Sequence, residues 1–181
     1  MYVNKVMKRD EETMTQPFLP VLCGSDMNAY GMARAFHEAY GIKSLVVGRS
    51  HLTATQNSKI IIFEQVDNFN KQEVFLPALE KIAEKYKDMK LLLLACGDDY
   101  AKLIIKNKPE LQKHFIVPYI DESLMDQILL KENFYKMCEK YGFKYPKTTI
   151  ISYENYKDFE IPFDYPIIIK ASNSVAYWAC K

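Results

Sequence analysis

Short apolar segments alternate along the chain with longer segments in which apolar residues recur every three or four positions. The apolar segments cover residues 18–23, 44–47, 60–63, 91–95 and 115–117. Their length and their content of Leu, Ile and Val are typical of buried strands. Between them we predict helices that end at Gly41, span residues 71–86 and run through Ile105. This alternation predicts an α/β fold with an open, doubly wound parallel sheet built from right-handed βαβ units.

The pattern changes after residue 118, where two helical segments precede two further apolar runs. We predict helices over residues 121–129 and 131–141, with Gly142 in the position of a helix-terminating glycine. Two strands are expected next, over residues 148–151 and 165–170. The region is therefore predicted to be α+β. The predicted units are a tail over residues 1–15, the doubly wound domain over 16–118 and the start of a second, incomplete domain over 119–181.

The composition is that of a folded protein without a nucleic-acid or membrane partner. Of its 181 residues 49% are hydrophobic, which is enough for a core. The formal net charge of +1 gives no electrostatic reason to expect a nucleic acid or a membrane surface. The four cysteines, at positions 23, 96, 138 and 180, have no zinc spacing, so we expect no metal site. Their scatter and a charged amino terminus without a signal peptide favour a cytoplasmic location.

A bound anion would explain the positions of two lysines. Lys170 ends an apolar run, and Lys131 begins a predicted helix. A cation in the first helical turn meets the positive end of the helix dipole, which costs about 0.3–1 kcal/mol at an exposed site. A phosphate would remove that cost, because free N–H groups and the ammonium would both contact it. The alternatives are that Lys170 reaches into water and that Glu132 or Asp126 offsets Lys131.

Polar residues follow two of the predicted strands, at the edge where open parallel sheets bind ligands. Ser25, Asp26 and Asn28 follow the first strand, and Asp98 follows the fourth. We take these four as candidate substrate-binding residues, with helix capping as the alternative. The chain has neither the Gly-x-Gly-x-x-Gly fingerprint nor a P-loop, so a nicotinamide oxidoreductase is not favoured.

Longer stretches of the sequence carry a family resemblance. Residues 130–148 and 165–170 resemble the opening of an ATP-grasp domain, in which a lysine, a helix, a Gly-x-x-x-Pro turn and a strand precede a second strand ending in lysine. The region in front resembles the Rossmann-like pre-ATP-grasp domain of carbamoyl-phosphate-synthase-like and biotin-carboxylase-like chains. More narrowly, D-aspartate ligases of peptidoglycan cross-bridge synthesis are similar to residues 24–36, 95–100 and 170–178.

The resemblance implies that ATP, with Mg²⁺, phosphorylates a substrate carboxylate to an acyl phosphate, which an amine then attacks. It also implies that Lys131 and Lys170 contact the ATP phosphates. Ser172, Asn173 and Ser174 stand where many ATP-grasp chains have a glycine-rich phosphate loop, and they are candidates to supply its donors. Without glycine, we do not expect the flexible closure of that loop.

The Mg²⁺-binding carboxylates and the adenine site of the family belong to a part that follows the matched region, so no residue here is predicted to be catalytic. We therefore expect the 181 residues alone to be inactive and to bind neither ATP nor Mg²⁺ tightly. The expected partners are a small-molecule carboxylate and a small-molecule amine, and a homodimer is left open. The competing hypothesis is a complete, non-catalytic module that binds a ligand or docks a partner protein.

Overall fold

The computed structural model describes residues 16–128 and 130–172. The predicted tail over residues 1–15 and two candidate phosphate-loop residues, Asn173 and Ser174, lie outside the described residues. The elements in chain order are β1 (Leu19–Cys23), α1 (Met27–Tyr40), β2 (Ser44–Gly48), β3 (Ile61–Gln65), α2 (Gln72–Lys85), β4 (Leu91–Ala95), α3 (Asp98–Lys106), α4 (Lys108–Leu111), β5 (Phe115–Ile116), α5 (Glu122–Ile128) and α6 (Lys131–Lys140). The α/β prediction is confirmed, and all five strands predicted before residue 118 are present.

The five strands form one parallel sheet in the order β3-β2-β1-β4-β5. The chain moves outward from β1 through β2 to β3, crosses back, and adds β4 on the other side of β1. In the β1–β4 ladder, Leu19 pairs with Leu91 and Cys23 pairs with Ala95. The strand order therefore reverses between β1 and β4. At the carboxyl edge of the sheet, such a switch point opens the crevice in which α/β proteins bind ligands.

The core is centred on β1, in which every residue is buried. On one face of the sheet, Val21 belongs to a cluster that includes Phe75 of α2 and residues of α3. On the other face, Leu22 packs with Ala29 and Ala33 of α1. Successive side chains of a strand point to opposite faces. A strand covered by helices on both sides therefore needs the continuous apolar run that the sequence shows.

Helices α5 and α6 follow the sheet and pack on each other. Gly142 ends α6 as predicted, with a φ of +69°, and the N–H of Phe143 donates to the Cys138 carbonyl (2.8 Å). This geometry is typical of a glycine-terminated helix. The short helix α4 was not predicted. Its Lys108 ammonium donates to the Tyr119 carbonyl (2.7 Å), which links the sheet to the segment leading into α5.

The prediction of strands over residues 148–151 and 165–170 was wrong. No residue from 141 to 172 is in a strand, and the side chains of Ile168 and Ile169 are 82% and 80% exposed. An apolar run becomes a strand only where a neighbouring strand satisfies its backbone hydrogen-bonding groups. Neither run has such a neighbour in the described part of the chain, so both remain irregular.

Candidate functional site

Three loops meet at the carboxyl edge of the sheet, beside the switch point between β1 and β4. The side-chain amide of Asn28 donates to the Cys96 carbonyl (3.2 Å), which joins the loop after β1 to the loop after β4. The Thr55 hydroxyl donates to the Ser25 carbonyl (2.9 Å), which joins the loop after β2 to the loop after β1. The three loops are therefore tied together, and their polar groups share one edge of the sheet.

Two glycines allow these loops to approach one another. Gly24 has a φ of +130°, and a Cβ added to it would lie 2.9 Å from the Cβ of Cys96. A Cβ added to Gly48, the last residue of β2, would lie 2.7 Å from the Cβ of Ser25. Carbon atoms in favourable contact are about 3.5–4.0 Å apart. The packing of the loops at the switch point therefore depends on the missing side chains of both glycines.

The four candidate substrate residues lie on the loops after β1 and β4, in different environments. Asp26 caps α1, because its Oδ1 accepts from the backbone N–H groups of Asn28 (3.0 Å) and Ala29 (3.3 Å). The capping alternative thus holds for Asp26, although the residue is exposed. Ser25 is buried, whereas Asp98 is exposed in the first turn of α3. Asp26, Asn28 and Asp98 are therefore accessible to a ligand, and Ser25 is a packing residue of the same edge.

Arg49 and Tyr100 lie at this edge and were missed by the sequence analysis. Arg49 is exposed just beyond the end of β2. Tyr100 is buried in α3, and its ring centroid lies 5.4 Å from that of Phe69. Burial and then the Asp99 charge raise the pKa of Tyr100 to about 12, and the nearby Arg49 guanidinium opposes the shift. The rule that selected Ser25 would also have found Arg49, because both follow a buried strand.

We expect the protein to lose stability as pH rises from about 9 to about 12. Burial is the main cause that raises the pKa of Cys96 from 9.0 to about 12 and that of Tyr100 from 10.0 to about 12. Both groups keep their protons longer in the folded state. Their contribution to stability is therefore fully present below the unfolded pKa values and is lost as pH approaches the folded values.

Urea unfolding at about pH 8 and about pH 11 measures this loss as a fall in the unfolding midpoint. Tyr100→Phe keeps the ring in the core but removes the titrating hydroxyl, so its midpoint is expected to fall less than that of the wild type. An equal fall in both proteins would show that Tyr100 does not contribute to the alkaline instability.

The amino-terminal end of α6 is the second candidate site. The Lys131 ammonium donates to the carbonyl of Ala171 (2.8 Å) and, at 3.4 Å, to that of Ser172. The backbone N–H of Lys131 also donates to the Ser172 carbonyl (3.4 Å). Lys170 is exposed and directly precedes Ala171. The structure thus holds Ala171 and Ser172 against the start of α6. Lys170 is the residue directly before this contact with the Lys131 ammonium.

Glu132 is not the ion-pair partner of Lys131. Its carboxylate lies 3.8 Å from the ammonium of Lys136, one turn further along α6. Leu130, at the N-cap position, supplies no side-chain acceptor to the first turn. Of the two proposed counter-charges for Lys131, Glu132 is therefore paired elsewhere. The start of α6 keeps a cation next to N–H groups that the helix itself does not pair.

The start of α6 fits a phosphate group. An ammonium has three N–H donors, and the two carbonyl contacts leave one donor of Lys131 for a further acceptor. The first-turn N–H groups of a helix point along its axis and bind phosphate oxygens readily. Lys131 and the first turn of α6 are therefore the groups that would hold a polyphosphate, with Lys170 and Ser172 adjacent to them.

The described residues do not fit Mg²⁺. Hard divalent cations take several oxygen ligands at once, and within residues 16–128 and 130–172 no group of three or more His, Cys, Asp and Glu side chains could hold a metal ion. No step that involves the metal is therefore assigned to these residues. In the same part of the chain, none of the helices combines the length and the hydropathy needed to cross a bilayer.

Comparison with known proteins gives one sequence relative and one structural neighbour of interest. No protein-family model matches the chain. Over 169 residues it is 44% identical to a D-aspartate ligase of Enterococcus faecium (strain Aus0004), a match that covers 90% of this chain and 40% of that protein. Its fold is similar to the crystal structure of an L-amino acid ligase from Bacillus licheniformis, with a TM-score of 0.52 and 12% identity over 89% of this chain and 39% of that one.

The chain is therefore similar in sequence to a D-aspartate ligase and similar in its mixed α/β fold to an L-amino acid ligase, in agreement with the resemblance to ATP-grasp ligases seen in the sequence. Nearly the whole length of the chain is homologous to part of the Enterococcus protein. The chain spans about two fifths of the length of both of these proteins.

Proposed function

We propose that this chain is the N-terminal portion of an ATP-dependent ligase that joins a carboxylate to an amine through an acyl phosphate. The observation that carries the proposal is the 44% identity to a D-aspartate ligase across 90% of the chain. We propose D-aspartate as the carboxylate substrate and an amine of a peptidoglycan precursor as the acceptor. The cation at the start of α6 supports the proposal, because phosphoryl transfer depends on positive charge and N–H donors placed around the phosphates.

The two candidate sites have different roles in the proposed reaction. Bound ATP supplies the phosphoryl group that activates the carboxylate. Lys131 and the first turn of α6 hold phosphate oxygens, and Lys170 adds a second positive charge, which offsets charge that develops during transfer. At the sheet edge, Asn28 and Asp98 orient the amino acid. Neither site includes a group that this chain would use to break a bond, so the role of these residues is binding and orientation.

We also propose that the protein is cytoplasmic. Cys23, Cys96 and Cys138 are free in the structure, and buried free thiols are usual in reducing compartments. The ATP that the proposed reaction consumes would be available in the same compartment.

The test is ADP release by the protein that the gene for this chain encodes, read to its stop codon. We expect release that requires both D-aspartate and an amine acceptor, and none from residues 1–181 alone. D-asparagine in place of D-aspartate is the matched control, because it lacks the side-chain carboxylate. Absence of D-aspartate-dependent release from the full gene product would contradict the proposed function, and release from the 181 residues alone would contradict the proposed division of the enzyme.

A further inference from the structure

Arg49 lies at the switch-point edge and has no ion-pair partner among the described residues. The described part of the chain contains two arginines, Arg34 and Arg49. Arg34 on α1 is paired with Glu38, one turn along the helix, at 2.6 Å. Arg49 takes part in none of the ion pairs among the described residues. No described carboxylate therefore occupies its planar set of donors, and that set matches the two oxygens of a carboxylate.

The backbone next to Arg49 is closely packed. Arg49 directly follows Gly48, whose backbone packs against Ser25 so closely that a Cβ would lie 2.7 Å from the Cβ of Ser25. Tyr100 lies below the same junction, because a Cβ added to Gly24 would be 3.8 Å from its ring. The Arg49 guanidinium lowers the pKa of the Tyr100 hydroxyl, against the larger raising effect of burial. The backbone that carries Arg49 therefore lies in a closely packed junction next to Tyr100.

The chemistry of the edge indicates which class of ligand fits it. One cation, Arg49, lies in the loop after β2, and exposed carboxylates, Asp26 and Asp98, lie on the loops after β1 and β4. A ligand with both a carboxylate and an ammonium group complements such an edge. D-aspartate has two carboxylates, and the reaction proposed above activates one of them. The other carboxylate then needs a cationic partner in the protein.

We propose that Arg49, positioned by Tyr100 at the switch point between β1 and β4, binds the carboxylate of an acidic amino acid that is not activated in the reaction. The identity of the amino acid as D-aspartate rests on the proposed function. Arg49 is then a residue that determines specificity, since a ligand that is activated in the reaction and also bound by Arg49 needs two carboxylates. An amino acid with one carboxylate leaves either the reaction or the guanidinium without its partner, and such unmatched polar groups are what give binding sites strong discrimination.

The test measures equilibrium binding of D-aspartate to the full gene product by titration calorimetry. The wild type is compared with Arg49→Met, Arg49→Lys and Arg34→Met. We expect Arg49→Met to weaken binding by about 10- to 100-fold, the range for a lost hydrogen-bonded charge pair. Arg49→Lys is expected to be intermediate, because it keeps the charge and loses the planar donor set. Arg34→Met, which removes the same group from an exposed helix face, is expected to bind like the wild type.

The two proposals fail separately. Wild-type affinity in Arg49→Met, or no D-aspartate binding by the wild type, overturns the role of Arg49. If the gene product releases ADP with D-aspartate while Arg49→Met leaves KM for D-aspartate unchanged, only this inference fails. If Arg49→Met abolishes D-aspartate binding but the wild type releases no ADP, only the ligase proposal fails. An unchanged thermal midpoint in Arg49→Met shows that the exposed substitution has not unfolded the protein.

In this proposal Tyr100 positions Arg49, and kinetics of a separate variant test that role. Tyr100→Phe keeps the ring against Phe69 and Gly24 and removes only the hydroxyl, whose pKa the Arg49 guanidinium lowers. We expect a smaller rise in KM for D-aspartate than in Arg49→Met, with kcat retained. When both substitutions are combined, the effect of Tyr100→Phe is expected to vanish, because the hydroxyl acts through Arg49. Full additivity of the two effects would contradict that positioning role.

Discussion

Lys131→Ala in the full gene product is expected to raise the ATP concentration needed for half-maximal activity by about 10- to 100-fold, the range for a lost hydrogen bond to a charged group. Lys131 is the first residue of α6, so its ammonium lies next to the first-turn N–H groups, of which its own donates to the Ser172 carbonyl. Lys170→Ala is expected to change the ATP requirement in the same direction, because Lys170 directly precedes Ala171, whose carbonyl accepts from the Lys131 ammonium. Steady-state kinetics with varied ATP measure both effects.

Lys136→Ala is the matched control for this prediction. It removes a lysine from the same helix, but one that is 71% exposed and paired with Glu132. We expect its ATP kinetics to be unchanged. Lys131→Arg retains the charge but replaces the ammonium that donates to the Ala171 carbonyl, so it separates loss of charge from loss of the lysine geometry. Normal ATP kinetics in both Lys131→Ala and Lys170→Ala would exclude a phosphate role for the pair.

Gly24→Ala is expected to destabilise the fold by about 3 kcal/mol, from backbone strain and overpacking together. The φ of Gly24 is +130°, which alanine adopts only with strain, and the new Cβ would lie 2.9 Å from the Cβ of Cys96. Cys96 lies on the neighbouring loop of the switch point and cannot move freely, because its N–H donates to the Cys23 carbonyl (2.8 Å). Urea unfolding of the wild type and the variant measures the change.

Gly31→Ala is the control with the opposite expected sign. Gly31 lies inside α1, and nothing is within 4 Å of an added Cβ. Alanine is favoured over glycine inside a helix by about 0.5–1 kcal/mol. The same substitution is therefore expected to stabilise at position 31 and to destabilise at position 24. Equal effects at the two positions would show that the crowding at the switch point has no energetic consequence.

The sheet was predictable from the sequence because its strands carry their own signal. The run over residues 91–95 is apolar throughout, since helices cover both faces of the sheet, and the structure places β4 on those same residues. Helix α1 likewise ends at Gly41, which has a φ of +68° that favours glycine. These signals are local, so each element could be recognised without knowledge of its neighbours.

The irregular segment near the end of the described chain and the strand order could not be predicted from local sequence patterns. The run over residues 165–170 has the composition of a strand but meets no hydrogen-bonding neighbour in the described structure, so it stays irregular. The strand order, and with it the location of the switch point, follows from which strands pair. That pairing is what makes Arg49 a candidate binding residue, because β2 lies beside β1 and brings the loop after it to the same edge.

The candidate sites were predictable to different extents. Polar residue types at strand ends selected Asn28 and Asp98 as candidates, and a cation at the start of a helix selected Lys131. Spacing could not show that the Lys131 ammonium contacts the Ala171 carbonyl, 40 residues away. It also could not decide whether Asp26 or Asn28 caps α1, which depends on the side-chain rotamer that directs Oδ1 of Asp26 to the Asn28 N–H.

The most direct test of this account is a crystal structure of the full gene product with a non-hydrolysable ATP analogue. We predict that the ammonium groups of Lys131 and Lys170 contact the same polyphosphate, within the 2.7–3.2 Å of ordinary N–H···O hydrogen bonds. The first-turn N–H groups of α6 are expected to point at that polyphosphate. A nucleotide bound elsewhere, with the two ammonium groups directed into solvent away from each other, would contradict the assignment of the start of α6 as a phosphate site.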